Sequence, residues 1–332
     1  MTLVRLSADA PDPGVLARAA ELLRSGQLVA FPTETVYGLG ANALDPGAVA
    51  RIFGAKGRPA YNPLIVHVAD VSAARRLVLH WPESASALAQ RWWPGPLTLV
   101  LPKAPEIPDL VTAGLPTVAL RIPSHPVALA LLRAVGLPLA APSANRSGEV
   151  SPTTAAHVMQ SLGSRVPLIL DGGPTSVGIE STVVDLSGGT PVLLRPGMIT
   201  REELTEVLGP IALATTGDTL TARPSPGMLD RHYAPRARLV VYDGREDRLA
   251  VHAIAECRAA GGRSVALVRD AAPVAVDEVE RMPADPAAYA RQLYGALHRI
   301  DAGGAALILV ERPPGDAAWD GVRDRLERAA RP

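Results

Sequence analysis

The chain has 332 residues, a formal net charge of zero, 48% hydrophobic and 4% aromatic residues, and one cysteine, Cys257. The length suggests two domains, or one large domain with an appendage. The neutral charge balance excludes a global basic field for nucleic acid or an anionic membrane, and the single cysteine excludes an internal disulfide and a Cys-rich zinc site. The N-terminus carries no charged–apolar leader pattern and no apolar run reaches membrane-spanning length, so a cytoplasmic protein with no membrane partner is expected.

Asp12 and Pro13 cap and start a helix to about residue 24, stopped at Gly26. Residues 28–31 read as a strand, cut short by Pro32, which has no N–H to donate. The stretch 31–43, Phe31-Pro-Thr-Glu-Thr-Val-Tyr-Gly-Leu-Gly-Ala-Asn-Ala43, places Thr33, Glu34, Thr35 and Tyr37 at that strand end. Gly38 and Gly40 are read as a tight turn or a close approach to a ligand. Polar groups at a strand end beside glycines suit a small-molecule site, although a plain strand–loop–helix connection has the same pattern. A short helix over 46–53 leads into Gly54-Ala-Lys-Gly-Arg-Pro59, followed by Asn62-Pro63 and a strand over 64–68 that contains His67.

Helices are expected over 73–79 and 84–92, then a turn at Trp93-Pro-Gly-Pro96 and strands over 97–101 and 117–122, the latter carrying Arg121. A helix over 125–135 ends at Gly136. A strand over 137–141 runs into Pro142-Ser-Ala-Asn-Arg-Ser-Gly148, and Ser151-Pro-Thr-Thr154 opens the next helix. Strands over 168–170, 181–185 and 192–194 follow, then Arg195-Pro-Gly197 and a short helix over 201–208. Strands and helices intermix without strict alternation, so residues 1–208 are expected to form an α/β domain on a twisted mixed sheet. Periodicity is lost over 209–238, a linker or a lid. Residues 239–332 return to a βαβαβα pattern, a small doubly wound, Rossmann-like domain without the glycine fingerprint of a dinucleotide site.

Four features carry chemistry. Lys56, Arg58, Arg121 and Arg195 sit at strand ends or beside Gly/Pro turns, where guanidinium and ammonium groups hold carboxylate or phosphate; singly, each also reads as a surface charge. The only lysines are Lys56 and Lys103, so a lysine inside a motif points to a specific role. Ser143, Asn145, Ser147, Ser151 and Thr153 supply hydroxyls and an amide for phosphate oxygens, although helix capping alone accounts for Ser151. The loop 172–182 is rich in glycine and hydroxyls but is not a Walker A loop. His67 within a strand reads equally as a hydrogen-bonded core residue. No spacing makes a metal site, and no Gly-x-Ser-x-Gly elbow is present.

These motifs, in order, are Pro-Thr-Glu-Thr-Val-Tyr-Gly-Leu-Gly, Lys-Gly-Arg-Pro with Asn-Pro-Leu, Pro-Gly-Pro-Leu-Thr, Arg-Ile-Pro, Pro-Ser-Ala-Asn-Arg-Ser-Gly and Glu-Ser-Thr-Val-Val-Asp. Across residues 15–197 the chain resembles the YrdC/Sua5 family of threonylcarbamoyl-AMP synthases. The motif Ser225-Pro-Gly to His232-Tyr-Ala-Pro235 and the added C-terminal α/β domain resemble its longer, Sua5-type members. The resemblance implies synthesis of L-threonylcarbamoyladenylate from ATP, L-threonine and bicarbonate or CO2, with release of pyrophosphate. The product would serve N6-threonylcarbamoyladenosine formation in tRNAs that read codons beginning with A, handed over to the threonylcarbamoyl-transfer machinery.

The resemblance further implies that Thr35, His67, Arg121, the Ala141 backbone and Ser181 hold threonine. ATP falls to Arg58, Asn62, Thr117, Ser143, Asn145, Ser151, Arg195 and Tyr233, with Lys56 beside the phosphates; Lys56 and Arg58 are the expected catalytic cations, and Mg2+ accompanies ATP. The linker around Tyr233 is expected to close over ATP. Two other readings are an RNA-binding or ribosome-associated module on the same fold, which zero net charge and sparse aromatics oppose, and a carbamoyl-transfer enzyme of hydrogenase maturation, whose zinc-finger cysteines are missing here.

Overall fold

The computed structural model describes residues 1–59, 61–214, 233–244, 247–273 and 275–331. The expected linker motif over 225–232, and with it most of the expected lid, lies outside the described residues.

Eleven strands build one mixed sheet. They are β1 (Thr2–Arg5), β2 (Val29–Phe31), β3 (Gly38–Asn42), β4 (Ile65–His67), β5 (Leu97–Pro102), β6 (Thr117–Arg121), β7 (Leu139–Ala140), β8 (Leu168–Asp171), β9 (Thr182–Asp185), β10 (Val192–Arg195) and β11 (Ala212–Leu213). Their order is β1-β8-β2-β3-β7-β4-β6-β5-β9-β10-β11. The parallel pairing of β4 with β6 sets His67 opposite Arg121, which brings two residues far apart in sequence to one strand end. The parallel pairing of β5 with β9 sets Leu97 opposite Thr182 and carries Ser181 to the same region.

Gly38 and Gly40 do not form a turn: both lie in β3, antiparallel to β2. The reason is space. A Cβ on Gly40 would stand 2.8 Å from the ring of Phe31, so glycine admits the phenyl group against the sheet. Apolar side chains bury both faces of the sheet. Leu39, Ile52, Val66, Leu88, Leu99 and Leu120 pack on one side, and Phe31, Leu23, Leu131, Leu139 and Leu168 on the other. The expected helices form with local caps. Asp12 accepts from the Val15 N–H, and Thr200 with Glu203 makes a full capping box at Arg201–Leu208.

The second sheet is parallel throughout, in the order β12 (Arg238–Tyr242), β15 (Leu307–Glu311), β13 (Ser264–Val268) and β14 (Glu278–Arg281). Strand β14 is not legible in the sequence, because Glu278-Val-Glu-Arg281 is polar and largely exposed at the sheet edge. Among the described residues, no helix is long and apolar enough to cross a membrane.

A shared core joins the two sheets' layers. Val36, Val150 and Ile179 pack with Tyr233, Tyr289, Leu293, Leu297, Trp319 and Val322. Two glycines let backbones meet there. Gly178, at φ 88°, lies against Ala290 and Arg291 of the helix Pro286–Ala302, and Gly321 of the helix Asp320–Ala329 lies against Gly197.

Candidate active site

A cavity opens where β2, β4 and β6 end, lined by Thr33, Thr35, Gly38, His67, Arg121, Ala141 and Ser143, with Arg58, Glu180, Arg195 and Tyr233 across it. Arg121 is buried and paired with Glu34 at 2.6 Å, and Glu34 also accepts from the Ser124 N–H. Its Nε donates to the Gly95 carbonyl and its Nη1 to Thr35 Oγ1 at 2.9 Å. A guanidinium has five N–H donors, so two of those on Arg121, which lines the cavity, have no described protein partner.

The hydroxyls beside it are ordered by simple proton accounting. Thr33 Oγ1 donates its only proton to the Val36 carbonyl at 2.6 Å. Thr35 Oγ1 lies 2.9 Å from Thr33 Oγ1, which also accepts from the Thr35 and Val36 N–H groups at 3.3 Å. With Arg121 donating to it, Thr35 Oγ1 keeps one lone pair for a ligand. His67, in edge contact with Phe31, has its pKa lowered to about 3 by burial and then by the Arg121 charge, so its ring is neutral. Its Nδ1 is buried without a described hydrogen-bond partner.

On the far wall Arg58 donates to the Asn62 and Pro63 carbonyls. Burial lowers its pKa to about 10, which leaves it charged at neutral pH. Arg195 donates through Nε to the Ser181 carbonyl and through Nη2 to Ser181 Oγ, which also bonds Thr98 Oγ1 at 2.7 Å. Glu180 is the acidic side chain in the cavity wall, and three groups donate to it: Ser151 Oγ at 2.5 Å, Tyr294 Oη at 3.0 Å and Arg325 Nε at 2.7 Å. The cavity thus joins a donor and neutral-acceptor end at Arg121, Thr35 and His67 to a cationic end at Arg58 and Arg195. That pairing suits a small carboxylate beside a polyanion.

Comparison with known proteins agrees with this chemistry. A family model described as telomere recombination, the Sua5–YciO–YrdC group, matches residues 21–197, and one described as threonylcarbamoyl-AMP synthase, C-terminal domain, matches residues 199–331. The threonylcarbamoyl-AMP synthase of Bacillus subtilis is 47% identical over 326 residues, covering 96% of this chain and 93% of its own. That of Pyrococcus abyssi is 45% identical over 316 residues, covering 94% and 93%. The chain belongs to the threonylcarbamoyl-AMP synthase family. The crystal structure of P. abyssi Sua5 complexed with L-threonine superposes with a TM-score of 0.92 at 43% identity, covering 99% of this chain and 98% of that one.

The structure brings together Thr35, His67, Arg121, Ala141, Ser143, Arg58, Arg195 and Tyr233 of the residues that the family resemblance singled out. The others are not among the residues that line the cavity. Lys56 is buried, and its ammonium donates to the Ser143 carbonyl at 2.6 Å and the Asn145 carbonyl at 2.5 Å rather than into the cavity. Asn145 is itself spent on the Arg146 and Glu149 carbonyls. Ser151 and Ser181 are fully buried and hold Glu180 and Arg195. Thr117 starts β6, at the end opposite Arg121, and pairs with Pro102. Asn62 is buried, and neither atom of its side-chain amide has a described partner. The sequence reading missed Glu180 as a site residue, although it stands in the Glu-Ser-Thr-Val-Val-Asp motif; a carboxylate in a site for anions looks out of place until its partner from the other sheet is seen.

Proposed function

We propose that this member of the threonylcarbamoyl-AMP synthase family joins L-threonine, bicarbonate or CO2, and ATP into L-threonylcarbamoyladenylate and releases pyrophosphate. The observation that carries the proposal is the convergence of three buried guanidinium groups, Arg58, Arg121 and Arg195, on one cavity that also holds a neutral His67.

The threonine carboxylate meets the two remaining N–H donors of Arg121. The lone pair of Thr35 takes an N–H of the threonine amine, which turns the nitrogen lone pair toward CO2. The threonine ammonium first gives a proton to solvent; the neutral amine then adds to CO2 and passes a second proton to water or bicarbonate, giving a carbamate. A carbamate oxygen then attacks the α-phosphorus, and the bond from phosphorus to the bridging oxygen of pyrophosphate breaks. Two anions must approach, so Arg58 and Arg195 at the phosphate end lower the repulsion as charge builds on the leaving group. No protein nucleophile takes part; holding the reactants in line supplies much of the acceleration. The carbamate loses CO2 readily and the mixed anhydride is hydrolysed by water, which favours a site walled by Tyr233 and apolar residues.

Magnesium is proposed to enter with the ATP phosphates. Among the described residues no group of three or more His, Cys, Asp or Glu is placed to ligate a metal. The product is proposed to pass to the machinery that forms N6-threonylcarbamoyladenosine in tRNA, in the cytoplasm.

The test is pyrophosphate release from ATP with bicarbonate, with and without L-threonine, with L-serine as control. Threonine-dependent release with an adenylate product is expected. Release that ignores threonine would overturn the proposal.

A further inference from the structure

The fully buried Arg325, on the helix Asp320–Ala329 that packs on the second sheet's layer, stands behind the cavity wall against Glu180. It bridges two loops of the first domain. Its Nε and Nη2 hold the Glu180 carboxylate and carbonyl at 2.7 and 3.1 Å, and its Nη1 holds the Pro196 carbonyl at 2.9 Å, next to Arg195. Tyr294, from the helix Pro286–Ala302, donates to the same carboxylate and stacks on Tyr233 at 6.0 Å. The Arg325 guanidinium lies over the Tyr233 ring at 5.4 Å. Arg325 also pairs with Asp324 at 2.7 Å, and Asp324 has a second cation in Arg328, so Glu180 in the cavity wall draws its counter-charge from the other domain.

We propose that Arg325 and Tyr294 are positioning residues for the nucleotide: acting through Glu180, they neutralise the carboxylate in the cavity wall and fix Tyr233 and the Arg195 loop around the phosphates. The inference rests on the function proposed above. Two physical points carry it. A buried carboxylate stripped of its cation is strongly unfavourable, and beside ATP phosphates it repels them. It also competes with those phosphates for Arg195, whose charge acts on Glu180 in the same cavity wall. A merely structural tie between domains has no such preference for one substrate.

The experiment measures steady-state pyrophosphate release by the full chain while ATP and L-threonine are varied in turn. For Arg325→Met the KM for ATP is expected to rise about tenfold or more, while the KM for threonine moves less than about threefold. Adding Glu180→Gln to Arg325→Met removes the uncompensated charge, and the KM for ATP is expected to return to within about threefold of the parent. Equal increases for both substrates, or no recovery with Glu180→Gln, would overturn the proposal. If Arg325→Met does not fold, Tyr294→Phe decides: it loses one hydrogen bond and keeps its packing, and its KM for ATP is expected to rise about threefold while the fold is kept and the KM for threonine does not move. An unchanged KM would overturn the positioning role. The parent enzyme separates the two levels of inference. If its pyrophosphate release ignores threonine, the proposed function fails; if the parent is active and the variants keep their ATP requirement, only the positioning role fails.

Discussion

The Lys56 ammonium lies 2.6 Å from the carbonyl oxygen of Ser143 and 2.5 Å from that of Asn145. The lysine that the family resemblance sets beside the phosphates fastens the Pro142–Gly148 loop to the end of the helix Pro46–Lys56. Its pKa is held well below the usual lysine value, first by burial and then by the Arg58 charge. Lys56→Met leaves two buried carbonyl oxygens without a donor, and a stability loss of about 2–4 kcal/mol is expected. Chemical denaturation checks this. A phosphate ligand would behave differently, with ATP affinity falling and stability unchanged.

Arg121 holds Glu34, Thr35 and the Gly95 carbonyl at once. Arg121→Lys keeps the charge but cannot span all three partners and a substrate carboxylate. The KM for L-threonine is expected to rise about tenfold or more while the KM for ATP stays within about twofold. Thr35→Val should also weaken threonine, because it removes the lone pair left for the amine. Isothermal titration with threonine measures both without relying on turnover.

Gly178 marks the closest backbone approach between the loop that carries Glu180 and the helix Pro286–Ala302. A Cβ there would stand 2.4 Å from the Ala290 carbonyl oxygen, and φ is already 88°. Gly178→Ala is therefore expected to cost about 2 kcal/mol or more and to loosen the Tyr294–Glu180 contact. Thermal unfolding followed by fluorescence reads the first effect, and the KM for ATP the second.

His67 and His157 both have pKa values lowered from an ordinary 6.5 to about 3, chiefly by burial; the neighbouring charge is Arg121 for His67 and stacked His298 for His157. The folded state resists protonation that the unfolded state accepts. Below about pH 6.5 the unfolded chain binds more protons, so stability is greatest above that pH and declines as pH falls toward 3. The melting temperature is expected to drop steadily between about pH 7 and pH 5. His157→Gln and His67→Gln should each flatten that slope, and differential scanning calorimetry at several pH values shows it.

The sequence by itself determined the local elements and much of the chemistry. Apolar runs such as 97–101 and 117–122, the caps at Asp12 and Thr200, and the cations beside glycine and proline are all decided by neighbours a few residues away. It did not determine β3 as a strand, because two glycines look like a turn until the Phe31 ring that occupies their missing side chains is in place. Nor did it show β1, a short alternating strand that exists by pairing with β8, far along the chain. Only the tertiary structure decided which motif residues face the cavity. Lys56, Ser151, Ser181 and Asn145 read as ligands because lysine, hydroxyl and amide groups bind anions. Each must also satisfy its own hydrogen-bonding groups once buried, and carbonyls, Glu180 and Arg195 were there to do it. The role of Glu180 was invisible for the same reason: its meaning comes from Arg325, 145 residues away, brought beside it by the packing of two domains on Val36, Ile179, Leu293 and Trp319.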